Sequence, residues 1–373
     1  MRVLKIVLCV FLIALLVPTL SAGADDVDEY LSDTNKTLTE VLPDEAQSLM
    51  SENDISFETP ENVDKLSATY WLELIRDTVL QNIKNPLTLM GEMLIVIIIL
   101  TMTKSLLEDS GDMDSILGVI ASLASVGILY PSISRCLNIV TETITAATVF
   151  MYSYVPVFSS ILAAGGSTSS GISYYVTILS VCEIIGFFIE NLLVPFMSFT
   201  IAVSVVEAIN PSLMGINLSG SLKTISKWML GLISSIFIGV ISIQGIIGQA
   251  SDTLGTRAIK FAASSFIPVV GGAVSDAYQT VVSSMSYIKS GVGVVGIIAI
   301  VFSVITPVVT VVILKAVLSI TKGISTFFGQ QNVSGLLDGI NSVLSIILGI
   351  LACFTLIFII ATAVMMMLSM NVV

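Results

Sequence analysis

The chain has 373 residues, 55% of them hydrophobic and 11% charged, with a mean hydropathy of +0.99 and a formal net charge of −12. A soluble domain carries about 25% charged residues, so this composition excludes an ordinary soluble enzyme and points to an integral membrane protein with many spans. Histidine is absent, which removes imidazole zinc sites, histidine acid–base catalysis and Ser-His-Asp triads, and the acidic balance argues against a nucleic-acid partner.

At the start of the chain, Arg2 and Lys5 precede the apolar run 6–17, Pro18 interrupts it, and Ala22-Gly23-Ala24 supplies small residues for cleavage. This pattern predicts a signal peptide over residues 1–24. Residues 25–65 hold 13 acidic and 2 basic side chains, so nearly all the net charge belongs to one acidic exported segment, 25–85. Its first forty residues are polar and predict little core of their own. Leu42-Pro43-Asp44-Glu45 reads as a helix start. Leu66, Tyr70, Leu74, Ile75, Val79 and Ile83 then follow helical spacing and, with Trp71, predict an amphipathic helix on the outer surface, against partner protein, or leading as a stalk into the first span.

The first two membrane spans are predicted within 86–145, at 86–103 and 116–134, with Pro131 near the end of the second and a more polar stretch from 135 to 145. Beyond them the chain contains a copy of itself. Tyr154-Val155-Pro156-Val157-Phe158-Ser159-Ser160 returns 112 residues later as Phe266-Ile267-Pro268-Val269-Val270-Gly271-Gly272, and Pro195 returns as Pro307 at the same distance. Asn217-Leu218-Ser219-Gly220 returns 115 residues later as Asn332-Val333-Ser334-Gly335. The matches define membrane repeat unit 1 (146–250) and unit 2 (251–373). The run 172–208 is too long for one straight crossing and predicts a break near Glu190, Asn191 and Pro195. The expected architecture is therefore all-α, a polytopic membrane helix bundle of about seven to eight spans with Pro-broken or re-entrant helices. Lys223, Lys227, Lys315 and Lys322 favour parallel copies by the positive-inside rule, while Arg257 and Lys260 pull the other way.

The candidate pore or hinge residues are Pro156, Pro195, Pro268, Pro307, Gly271 and Gly272, because a proline frees a backbone carbonyl that lipid cannot satisfy. An ordinary kink satisfied by neighbouring helices is the competing reading. Glu92, Glu183 and Glu190 are the candidate intramembrane polar groups, with Glu183 the most interior; a carboxylate at mid-bilayer costs about 2.5–3.5 kcal/mol and faces a cavity or a partner. Gly231, Ser235 and Gly239, and likewise Ser345, Gly349 and Cys353, form small-residue stripes suited to close helix packing, within the chain or between copies in a homo-oligomer. Gly291-x-Gly293-x-x-Gly296 mimics a dinucleotide loop but has no strand before it. No P-loop and no C-x-x-C occurs, so no catalytic residue, cofactor or metal ligand is assigned and no enzyme activity is expected.

The run from Ala250-Ser251-Asp252-Thr253-Leu254-Gly255-Thr256-Arg257 through Phe266-Ile267-Pro268-Val269-Val270-Gly271-Gly272-Ala273-Val274-Ser275-Asp276-Ala277, with Glu207-Ala208-Ile209-Asn210-Pro211, resembles the stage III sporulation protein AE family. The resemblance implies a multi-pass protein of the mother-cell membrane around the forespore, with its N-terminal segment in the intermembrane space. It implies membership of a trans-envelope channel or secretion-like complex whose partners include other stage III sporulation A-complex proteins, a separate ATPase and ring-forming proteins among them. It assigns no catalytic or binding residue. A stand-alone secondary transporter of a small solute or ion, and a non-conducting assembly scaffold, are the alternative readings.

Overall fold

The computed structural model describes residues 32–33, 35–106, 111–165, 167–209, 218–266 and 271–368. The expected signal peptide, residues 210–217 of the polar link expected at 210–223, and Pro268 lie outside the described residues. Every regular element among the described residues is helical. After a short helical segment at 35–40 come α1 (Asp44–Glu52), a 3₁₀ turn (Pro60–Lys65), α2 (Ala68–Asn82), α3 (Lys84–Leu106), α4 (Gly111–Ala164) and α5 (Thr168–Phe188). A π-helical turn (Ile189–Leu193) leads into α6 (Val194–Ile209), followed by α7 (Leu218–Phe266), α8 (Gly271–Phe327) and α9 (Gln331–Leu368).

Six stretches among the described residues are long and apolar enough to cross a membrane: Lys84–Leu106, Ile116–Ala164, Thr168–Ile209, Gly220–Ile247, Ser283–Phe327 and Gln331–Met366. The sequence reading expected seven or eight crossings. The second expected span and the first element of repeat unit 1 are one helix, α4, which runs through both Pro131 and Pro156. Residues 135–145 read only as a more polar stretch, yet Ile133, Cys136, Val140, Ile144 and Ala147 recur at three- and four-residue intervals and are all buried. That is one stripe of an amphipathic helix. Each proline removes a single N–H bond, and the turns on either side continue the helix. Pro307 likewise lies inside continuous α8 rather than at a re-entrant bend. The expected break near Glu190, Asn191 and Pro195 is present, as the π turn that separates α5 from α6.

At 1.5 Å per residue, α4 (54 residues), α7 (49) and α8 (57) are about 75–85 Å long, against a hydrocarbon core of about 30 Å. Their two ends are fixed by specific contacts. At the base, Gln330 Nε2 donates to Thr101 Oγ1 at 3.1 Å, Gly118 abuts Asn332, and Ser122 Oγ donates to Ala208 O at 3.0 Å. At the head, Gly165 lies by Met285, and the Asp252 carboxylate accepts from the Ser169 and Ser170 N–H groups at 2.7 and 2.9 Å. Asp252 thus caps the first turn of α5 from a neighbouring helix. The α5–α6 run and α7 form one antiparallel hairpin; α8 and α9 form another, and both descend from head to base and return.

The core gathers around α9. Val333, Leu336, Leu337, Ile340, Val343, Leu344, Ile347, Leu351, Phe354, Phe358 and Ala361 are buried along one broad face of it, while Leu356 on another face is exposed. It packs against α4, α5, α6, α7 and α8. Buried hydroxyls return their hydrogen to the carbonyl four residues earlier: Ser204 to Thr200, Ser226 to Leu222, Thr321 to Val317, at 2.8–2.9 Å. They therefore cost little in an apolar bundle.

The acidic segment is more than a tether. Leu38, Leu42, Ala46, Met50, Ile55 and Phe57 are all buried. Asn35 Oδ1 accepts from the Phe57 N–H at 3.1 Å, and Asn53 Nδ2 donates to the Tyr70 hydroxyl at 2.8 Å. The expectation of little core fails because these few apolar side chains share their burial with α8: α1, the 3₁₀ turn and α2 all pack on it, and Trp71 meets Phe302 at 5.6 Å between ring centroids.

Candidate functional site

A cleft of about 1150 Å³ opens midway up the bundle, where the start of α3, the middle of α4 and the C-terminal half of α8 diverge. Four prolines border it: Pro43 just before α1, Pro86 in the first turn of α3, Pro131 in α4 and Pro307 in α8. Its polar lining comes chiefly from Asn82, Asn85, Arg135, Asn138, Glu142 and Thr306, with Asp44 and Glu45 of α1 at its edge. Helical periodicity explains the α4 contribution. Arg135, Asn138 and Glu142 lie three and four residues apart on the exposed face opposite the buried Ile133–Ala147 stripe. Pro307 displaces the carbonyl of Ser303, itself a lining residue. The Ser303 hydroxyl points back to Ala299 O at 2.8 Å, so it leaves that carbonyl for another donor. A guanidinium, a carboxylate and several amides facing bare lipid would each be costly. At membrane depth, water or another protein would have to fill this cleft.

The predicted residues do not converge there as a set. Pro307 is buried and lines the cleft, whereas Pro156 and Pro195 are exposed on outer helix faces. Gly271 and Gly272 open α8 at the head, far along the helix from Pro307. Glu92 on α3 and Glu183, within the apolar α5, are exposed on the surface of the bundle; Glu190 belongs to the π turn. The Gly231, Ser235, Gly239 stripe turns away from the rest of the chain: a Cβ at Gly231 or Gly239 would meet no atom within 4 Å. The second stripe is the one that packs internally. A Cβ at Gly349 would sit 3.2 Å from Leu230, Ser345 Oγ donates to Asn341 O, and Ser234 Oγ lies 2.9 Å from Cys353 Sγ.

Sequence reasoning dismissed Gly291, Gly293 and Gly296 once a nucleotide loop was excluded. In the structure each one admits a different neighbour to the surface of α8. A Cβ at 291 would lie 2.6 Å from Pro60 of the 3₁₀ turn, one at 293 would strike Met366 of α9, and one at 296 would lie 2.6 Å from the Tyr154 ring of α4. The signal was their spacing, since residues two and five apart on a helix, as 291 is from 293 and from 296, face different directions. Beside them Lys289, 2% exposed, donates to Met366 O at 3.0 Å near the end of α9.

The family model described as Stage III sporulation protein AE matches residues 52–369, which takes in everything from the end of α1 to α9. The chain belongs to the stage III sporulation protein AE family. Stage III sporulation protein AE of Bacillus subtilis (strain 168) is 25% identical over 344 residues, covering 91% of this chain and 84% of the relative. No solved structure matches. Membership of the stage III sporulation protein AE family gives the chain a sporulation role, and its apolar helices fit a multi-pass membrane protein. The matched region includes the whole α3–α4–α8 wall of the cleft.

Proposed function

We propose that the chain is a non-catalytic membrane subunit of a trans-envelope assembly between mother cell and forespore, and that the α3–α4–α8 cleft forms or gates its polar path. The observation that carries this is the cleft itself: about 1150 Å³, walled by apolar helices, lined by Arg135, Asn138, Glu142 and Thr306, and bordered by four prolines. Irregular or polar backbone at membrane depth is tolerated where protein or a water-filled path receives it. In this reading the chain lies in the mother-cell membrane around the forespore, and the 35–66 unit faces the intermembrane space, where ring-forming partners would meet it. A separate ATPase supplies the energy, since this sequence carries no P-loop. The α5–α7 and α8–α9 hairpins run in one direction, as parallel duplicated units would.

The test is occlusion. Thr306→Trp and Asn138→Trp place bulky side chains in the cleft, away from the buried face of α4. Strains relying on either variant, with the protein inserted at normal amounts, are expected to lose heat-resistant spores and late forespore reporter expression. Ile95→Trp, on an exposed face of α3, is expected to sporulate normally. Full sporulation with both cleft variants would overturn the path.

A further inference from the structure

Three lysines meet near the base with no carboxylate partner among the described residues. Lys223 and Lys227 are one turn apart on α7, and Lys315 lies on α8, which packs against α7. They stand about 8, 14 and 18 Å from the base ends of their helices by the 1.5 Å rise per residue, and both α7 charges are felt at Lys315. None of the three has a carboxylate partner among the described residues. The acidic groups that α6 and α9 bring to this end are already engaged, Glu207 with the Leu218 N–H and Asp338 with Lys322 at 2.6 Å. Three mutually repelling cations cost stability unless an anion sits between them.

Exposed aromatic side chains share this end: Trp228 is 70% exposed, one residue from Lys227, and Phe327 is 85% exposed at the end of α8. Tryptophan favours the headgroup level of a bilayer, and lysines near helix ends extend their ammonium groups toward it. We infer that Lys223, Lys227 and Lys315 hold the phosphate of an anionic phospholipid, with the base of the bundle at the membrane–water interface. A basic site between helices next to an interfacial tryptophan is how a protein selects such a headgroup.

Trp228 is a built-in reporter, since the only other tryptophan, Trp71, lies on α2 near mid-bundle. The full chain carrying Trp71→Phe is reconstituted in phosphatidylcholine vesicles doped with acyl-brominated phosphatidylglycerol or, separately, acyl-brominated phosphatidylcholine. Brominated phosphatidylglycerol is expected to quench Trp228 at lower mole fraction. Each Lys→Gln change should weaken that preference roughly fivefold, and the triple variant should abolish it. The triple Lys→Arg variant should keep it, which separates lost charge from lost folding. Lys322→Gln, at the ion pair with Asp338, should leave it unchanged. Inorganic phosphate that relieved the quenching would assign the site to a free anion and overturn the lipid reading. Equal quenching by both lipids in the unaltered lysine background would overturn it too, and would assign the cluster to an acidic protein surface.

Discussion

Replacing Gly296 with alanine puts a methyl group where α8 and α4 meet through their surfaces. The new Cβ would lie 2.6 Å from Tyr154 Cε2 and Cζ and 2.7 Å from its hydroxyl. That ring has nowhere to go: it is fully buried, stacked between Phe150 and Phe158 at 5.4 Å each, with its hydroxyl toward Val292 O. Overpacking of this kind costs ~1–3 kcal/mol. Alanine returns ~1 kcal/mol of helix propensity over glycine, so the net loss is up to ~2 kcal/mol. Gly239→Ala on α7 is the matched control, because its Cβ would meet nothing within 4 Å and only the propensity gain remains. The assay is SDS-driven unfolding of the detergent-purified full chain, followed by tryptophan fluorescence. Gly296→Ala should unfold at lower SDS than the parent, and Gly239→Ala at equal or higher SDS. A Gly296→Ala protein as stable as the parent would refute the close α4–α8 approach.

Asp252→Asn weakens the cap on the first turn of α5 and should cost about 1–2 kcal/mol, visible as faster amide hydrogen exchange at residues 169–172. Trp71→Ala removes the contact with Phe302 that helps dock α2 on α8; a half-buried indole should be worth about 2 kcal/mol, and limited proteolysis should cut the 35–66 unit faster. In a background with the native cysteines replaced, Asn138→Cys should react with a membrane-impermeant thiol reagent while Ala361→Cys, on the enclosed α9, should not. Equal labelling of the two would contradict the placement of the cleft.

The helical class, the membrane setting and the break near Asn191 and Pro195 were all readable, because long apolar runs and a span too long for one crossing are strong local signals. Three features were not. Arg135, Asn138 and Glu142 registered only as a more polar stretch, since hydropathy averages over faces and cannot distinguish a polar loop from one polar stripe of a continuous helix. The buried residues from Leu38 to Phe57 were too sparse to announce a core, because the wall that completes their burial, α8, lies more than two hundred residues away in sequence. Gly231 and Gly349 carry the same local pattern, yet one faces outward and the other packs on Leu230. Only the tertiary arrangement separates them. Pro307 reached the cleft and Pro156 did not for the same reason: proline marks where a helix yields, not what it yields toward.

The position of α9 has a consequence for how the protein is made. Every helix it touches leaves the ribosome before it does, so those partners enter the membrane while the slot they will close around is empty. Until residues 331–368 arrive, α4, α6, α7 and α8 face lipid with surfaces meant for a neighbour. Closure is then a late, concerted event, and a premature stop beyond residue 330 would cost the bundle its axis rather than its edge.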